Sequence, residues 1–211
     1  MPRETFLNLP EEKRKRITEV LIRHFSSRGY YEVNLDQVAK DCGIAKGSLF
    51  QYFKDKGEMY LFAVDRAFQR FMEIVQGFDF KKGSIFEYYE SYFESSLEFL
   101  IKEEDAYYLL ERAFFYNDSP FREKFLNEYT QKTHQVVLEL VRENQKNGFI
   151  RKDIDPELLA LFLEAVSLRF KTLFFERLRK EGKKVLDLPR EELREFQSVV
   201  IKLLAEGLKG R

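Results

Sequence analysis

Lys46, Ser48, Gln51, Tyr52 and Lys56 surround one short apolar pattern, and each can donate hydrogen bonds or carry positive charge. That set suits base edges and phosphate oxygens better than bond-making. Lysine matches the acceptors of guanine and glutamine can pair bidentately with adenine, so Lys46, Gln51 and the exposed backbone at Gly47 are candidate base-edge readers. Ser48, Tyr52, Lys56 and Asn34 are candidate phosphate clamps, which fix register without carrying sequence information. Ala45 and Phe50 complete the candidate DNA-facing set; Phe50 either touches a thymine methyl or packs. Enzyme chemistry is thinly provided for. The chain has two histidines, His24 and His134, and neither follows a glutamate at the Glu-x-x-His spacing of carboxylate-bridged metal sites. The sequence contains no glycine-rich phosphate loop, nucleophile elbow or metal-binding Cys/His cluster. The reading is of a non-enzyme without cofactor or metal, in which His134 is structural and the single cysteine, Cys42, is a small core residue.

These side chains need two short helices to position them. Leu35, Val38, Ala39 and Cys42 form one face at helical spacing, Gly43 breaks it, and Leu49, Phe50 and Phe53 resume it after Ile44. Ala39 stands where two steeply crossing helices press closest, and Gly43 where the corner needs positive φ. The result is a helix-turn-helix, either the unit that places a helix in the major groove or an ordinary corner inside an all-α core.

The stretch GIAKGSLFQYFKDKGEM resembles the DNA-binding end of the TetR (tetracycline-repressor) family of bacterial regulators, whose members tend to read G-V-S-[KR]-G-[ST]-L-Y-x-[HY]-F-x-[ND]-K-[ED]-x-L. The matches are Gly43, Lys46, Gly47, Ser48, Leu49, Tyr52, Phe53, Asp55, Lys56 and, one place later, Glu58. Ala45 replaces the usual serine and removes a side-chain N-cap worth roughly 1 kcal/mol. Phe50 replaces a tyrosine, and Gly57 stands where a helix former is usual. The resemblance implies an all-α fold of about nine helices. A three-helix DNA-binding head, residues 1–56, is joined by a long fourth helix to an effector-binding and dimerisation domain, residues 57–211.

Terminal signals place the helices. The first opens at Pro10-Glu11-Glu12 and ends by Gly29, with Ile17, Val20, Leu21, His24 and Phe25 on its face. Asp55 with Glu58 caps the fourth, which buries Tyr60, Val64, Ala67, Phe68, Phe71 and Val75 before Gly77. Ser84 with Glu87 caps a fifth reaching about Ile101, and a sixth runs from about Glu103 to Tyr116. Ser119-Pro120 opens a seventh ending at Gly148, Asp155-Pro156 an eighth of about 25 residues, and Pro189 a ninth ending near Gly207.

The ninth helix carries an apolar stripe of Leu193, Phe196, Val199, Val200, Leu203, Leu204 and Leu208. The eighth is apolar on more than one side, through Leu158, Leu159, Phe162, Leu163, Val166, Phe170, Leu173, Phe174 and Leu178. It therefore needs neighbours on more than one side, from its own core or from a partner chain. The resemblance implies a homodimer through a four-helix bundle of these two helices, with Val166, Leu173, Phe196, Val200 and Leu203 as candidate interface positions. Beyond residue 56 stand 18 Phe and 8 Tyr. Such rings are either core or the lining of a site for a small apolar effector. The resemblance implies an effector cavity in this region, and Tyr89, Phe93, Tyr108, Phe115 and Phe162 are its candidate lining.

Charge is balanced, 36 basic against 36 acidic residues, which argues against indiscriminate nucleic-acid binding. Residues 1–56 nevertheless hold 11 Lys and Arg against 8 Asp and Glu, an excess on the side the motif predicts. Lys13, Arg14, Lys15 and Arg16 open the first helix, either as solvated surface or beside a phosphate backbone. No apolar run approaches the ~18 residues of a membrane span, and the start lacks a signal-peptide core, so a cytoplasmic protein without membrane contact is expected. The function these readings predict is a ligand-responsive repressor that binds an inverted-repeat duplex DNA operator as a dimer and is released by its effector, the fourth helix carrying the motion. The alternatives are a helical protein-interaction adaptor and a constitutive DNA-binding protein.

Overall fold

Capping side chains stand at three of the helix starts that the sequence marks, those of Asp55, Ser84 and Asp155. Asp55 Oδ1 accepts the Glu58 N–H at 2.8 Å while the Glu58 carboxylate accepts the Lys54 N–H at 2.5 Å. Ser84 and Glu87 close a reciprocal box: Ser84 Oγ accepts the Glu87 N–H at 3.3 Å and Glu87 Oε2 accepts the Ser84 N–H at 2.6 Å. Asp155 Oδ1 accepts from the backbone of Glu157 and Leu158, ahead of Pro156 in the first turn.

The computed structural model describes residues 2–75 and 83–208, and these are all-helical. The helices are α1 (Glu4–Leu7), α2 (Glu11–Glu32), α3 (Leu35–Cys42), α4 (Lys46–Tyr52), α5 (Lys56–Val75), α6 (Ile85–Lys102), α7 (Glu104–Phe115), α8 (Arg122–Asn147), α9 (Pro156–Lys180) and α10 (Arg190–Leu208), with a 3-10 turn at Val185–Asp187. Gly77 and the side chains of Val75 and Leu208 lie outside the described residues. Two elements differ from the sequence expectation. A short α1 precedes the first expected helix, and α2 does not stop at Gly29 but breaks there, at φ 71° and ψ 176°, before a last turn to Glu32. No helix among the described residues is long and apolar enough to cross a membrane.

The chain gathers into two compact units, Met1–Ile74 with Phe99–Arg122, and Val75–Glu98 with Glu123–Arg211. Packing groups α5 and α7 with the helix-turn-helix in the first unit. In the first unit Ile17, Leu21, Ile22 and Phe25 of α2, Val38 and Cys42 of α3, Leu49, Phe53 and Met59 are fully buried. Phe6 of α1 enters an aromatic cluster, its ring centroid 5.1 Å from that of Phe53 and 5.2 Å from that of Phe62. Arg70 of α5 joins the carboxylate of Glu19 on α2 to that of Glu103 at the start of α7, and Ser26 Oγ donates to Asp105 Oδ1 at 3.0 Å.

The second unit is built on Ile85 of α6, Val137, Leu138, Leu140 and Val141 of α8, Ile150 of the connection that follows α8, Leu159, Ala160 and Leu163 of α9, and Leu204 of α10. Buried Asn144 ties α8 to α6 by accepting the Ile85 N–H at 2.7 Å. Phe196 of α10 lies 4.4 Å from the ring centroids of both Phe170 and Phe174 of α9.

Candidate nucleic-acid interface

The corner between α3 and α4 is built by small residues. Gly43 adopts φ 68° and ψ 36°, the left-handed conformation that glycine takes without a Cβ penalty, and the N–H groups of Gly43 and Ile44 close the α3 terminus on Lys40 and Ala39. Asn34 caps the other end of α3: its Oδ1 accepts from the backbone of Asp36 at 2.8 Å and of Gln37 at 3.4 Å. Ala45 is the N-cap of α4 and makes no side-chain cap.

A polar node on Asp41 fastens α3 to α2. Asp41 accepts from His24 Nε2 at 2.8 Å and from Gln37 Nε2 at 2.7 Å, and Arg23 lies 3.5 Å away. The hydrogen bond from His24, then that from Gln37, holds the Asp41 carboxyl below its usual range. Cys42, beneath this node, has its thiol pushed up to about 11 by burial, in keeping with a core role.

On α4, Leu49 is buried and Tyr52 nearly so, while Lys46, Gly47, Phe50 and Gln51 face solvent and Ser48 is half-buried. A Cβ built at Gly47 would meet nothing within 4 Å, and its φ is not positive. Nothing in the chain itself therefore requires glycine at that helical position, where it costs about 0.5–1 kcal/mol relative to alanine. The open face of α4 accepts an approach as close as backbone. Lys46 Nζ pairs with Asp36 at 2.9 Å, but both side chains are at least half exposed, so releasing the lysine to another anion costs little.

The proposed clamps are differently occupied. Lys56 donates to the carbonyls of Val33 at 2.8 Å and Tyr31 at 3.2 Å, and lies 5.2 Å over the Tyr30 ring. Burial lowers its pKa, and the ammonium serves as a cap on the end of α2. The Tyr52 ring is engaged by Phe6, and by Lys13 at 6.0 Å. Of the basic cluster on α2, Arg14 donates to the Leu7 carbonyl, whereas Lys15 and Arg16 are exposed.

One supporting element has no sequence signature. The arm around α1 satisfies the end of α4: the Arg3 N–H donates to the Tyr52 carbonyl at 2.9 Å and Thr5 Oγ1 to the Gln51 carbonyl at 2.6 Å. A four-residue helix is too short to display a period, and only its contacts reveal it.

The candidate effector residues fall in both units. Tyr89, Phe93 and Phe162 belong to the second unit, Tyr108 and Phe115 to the first. Burial raises the pKa of Tyr89, whose hydroxyl is hydrogen-bonded to Ser167, and Lys171 lies 4.7 Å over the Tyr92 ring. Phe162 is 53% exposed, beside exposed Leu158 and Leu161 on α9. Of the candidate interface residues, Leu173 and Leu203 are exposed, whereas Val166, Phe196 and Val200 are half-buried.

A short helix with an open face, held by a glycine corner against a capped partner, defines a helix-turn-helix DNA-binding protein. Residues 17–62 match the bacterial regulatory proteins of the tetR family, and residues 83–209 match the tetracyclin repressor-like C-terminal domain. The chain belongs to the TetR family. An HTH-type transcriptional regulator of Staphylococcus aureus is 31% identical over 61 residues, 29% of this chain and 33% of that relative, so the alignment spans about a third of the relative's length. Among solved structures, a TetR family transcriptional regulator from Chloroflexus aurantiacus is similar over 100% of both chains, with 26% identity and a TM-score of 0.71. FadR from Bacillus subtilis, solved with stearoyl-CoA, shares the fold at 16% identity over 92% of this chain and 98% of that one, with a TM-score of 0.66.

Proposed function

We propose that this protein is a ligand-responsive transcriptional repressor that binds an inverted-repeat operator as a homodimer and leaves it when a small apolar effector binds. The observation that carries the reading is the open face of α4, where Lys46, Gly47, Phe50 and Gln51 stand in solvent on a helix otherwise locked into its head. Lys46 and Gln51 read base edges there. Ser48, the amide nitrogen of Asn34, the Tyr52 hydroxyl and the Lys56 ammonium hold phosphates.

Exposed Leu158, Leu161, Leu173, Val199 and Leu203 on α9 and α10 support a partner chain against these helices, since several large apolar side chains left in solvent on two helices favour an interaction surface. Two recognition helices related by a two-fold axis read half-sites one helical turn or more apart. The effector acts by binding one conformation of the dimer more tightly than the other, so it lowers DNA affinity by the ratio of those affinities. The tyrosines of α6 support an apolar ligand with a polar end, and stearoyl-CoA, bound by the FadR relative, is a suitable first probe.

Selection of bound duplexes from a random pool by the full-length protein tests the reading. Enrichment of an inverted repeat is expected. Enrichment of single asymmetric sites would overturn the dimer, and no enrichment at all would overturn duplex recognition.

A further inference from the structure

We propose that Phe50 reads thymine: its ring rests on the 5-methyl group of one thymine in each half-site and so discriminates against bases lacking that methyl. The inference rests on the proposed duplex binding and deepens it to a named contact. The other large apolar side chains of this segment are taken into the head: Leu49 and Phe53 are fully buried, and Tyr52 is 7% exposed. Phe50 alone among them is turned outwards, at 39% exposure, so it is not a core residue. It stands one turn after Gly47, where no side chain or neighbour obstructs approach to the helix backbone, and beside Gln51. A groove that receives the backbone at Gly47 receives the Phe50 ring at base-edge depth.

The chemistry of the ring narrows the partner. Phenylalanine has no donor, so it offers a phosphate oxygen nothing and would strip water from it at a cost. The base edges in the major groove present hydrogen-bonding groups and one apolar substituent, the thymine methyl. That methyl is the surface whose burial against an outward phenyl ring is favourable. A hydroxyl added to the ring leaves this contact in place, whereas removing the ring abolishes it.

The test uses the full chain and the duplexes it selects, with each thymine replaced in turn by deoxyuridine, which removes the methyl and nothing else. One thymine per half-site is expected to lose about fourfold in affinity on replacement, the worth of one buried methyl-sized group. For Phe50→Ala the thymine and deoxyuridine duplexes should bind equally at that position, whereas Phe50→Tyr should keep the difference. Wild-type protein that binds every deoxyuridine duplex as tightly as its thymine parent would overturn the thymine contact and leave duplex recognition standing. A difference that persists undiminished in Phe50→Ala would assign the methyl to another residue. If no duplex is selected, duplex recognition and the thymine contact fall together.

Discussion

His24 and His134 show how one residue type serves two structural ends. His24 is buried and donates to a single carboxylate, Asp41, inside the DNA-binding head. His134 of α8 stands between two carboxylates of α9, with Nδ1 2.9 Å from Glu164 and Nε2 2.8 Å from Glu157. Both nitrogens then carry hydrogens to donate, so the cation is favoured: the bond to Glu164, then that to Glu157, raises the histidine pKa. A histidine raised in this way stabilises the fold fully below its unfolded value of about 6.5 and loses that contribution as pH rises through the folded value. The melting temperature of the wild type should therefore fall as pH climbs above about 6.5. In His134→Gln, which has no proton to lose, this part of the fall should vanish. Superimposable pH profiles for the two proteins would show that the bridge between α8 and α9 contributes nothing.

At the scale of elements, the segment between α7 and α8 is seated on the DNA-binding head at two glycines. At Gly29 the backbone breaks with positive φ, and an added Cβ would stand 2.5 Å from Asp118 Oδ2, which is itself paired with Arg112. At Gly57, in the first turn of α5, a Cβ would come within 2.9 Å of the Phe121 ring, which packs at 5.6 Å on Tyr30 and 5.9 Å on Tyr60. This close approach accounts for a glycine where related sequences carry a helix former. Alanine at a helical glycine ordinarily stabilises by about 0.5–1 kcal/mol. Here Gly57→Ala should instead destabilise by about 1–3 kcal/mol, because the ring is wedged and overpacking is costly. In a Phe121→Ala background the same change should become neutral or stabilising. Denaturant melts of the four proteins give the coupling directly, and additive effects would show that ring and glycine do not meet.

For the whole molecule the question is what covers α9 and α10. Leu203 is 67% exposed and Leu173 47%, although both lie on helices whose other faces fill the core of the second unit. A stable interface of ordinary size buries about 1,600 Å² in total, and charge at its centre is strongly disfavoured. Leu173→Glu with Leu203→Glu should sediment as a single chain where the wild type sediments as two. Its helical circular dichroism should be retained, and its affinity for the selected inverted repeat should drop steeply because half-sites then bind singly. A double variant that still sediments as a dimer would place the interface elsewhere.

Local chemistry was legible along the chain because it is written in short spacings. The glycine corner at Gly43, the caps at Asp55, Ser84 and Asp155, and the two-sided apolar character of α9 each depend on residues within a turn or two of one another. Those signals sufficed for an all-helical chain with a helix-turn-helix head. What they left open depends on contacts between residues far apart in sequence. That the Lys56 ammonium rests on the carbonyls of Tyr31 and Val33 could not be read from its motif. Phe6 belongs to a helix too short to show a period and is held by Phe53 and Phe62. Gly57 makes sense only against Phe121, and Phe162, one of many aromatics in the sequence, stands in solvent with Leu158 and Leu161. Helical spacing determines which side chains share a face, because it follows from backbone geometry alone. Which face is covered, and by what, is decided only when the chain closes on itself, since burial belongs to pairs of surfaces.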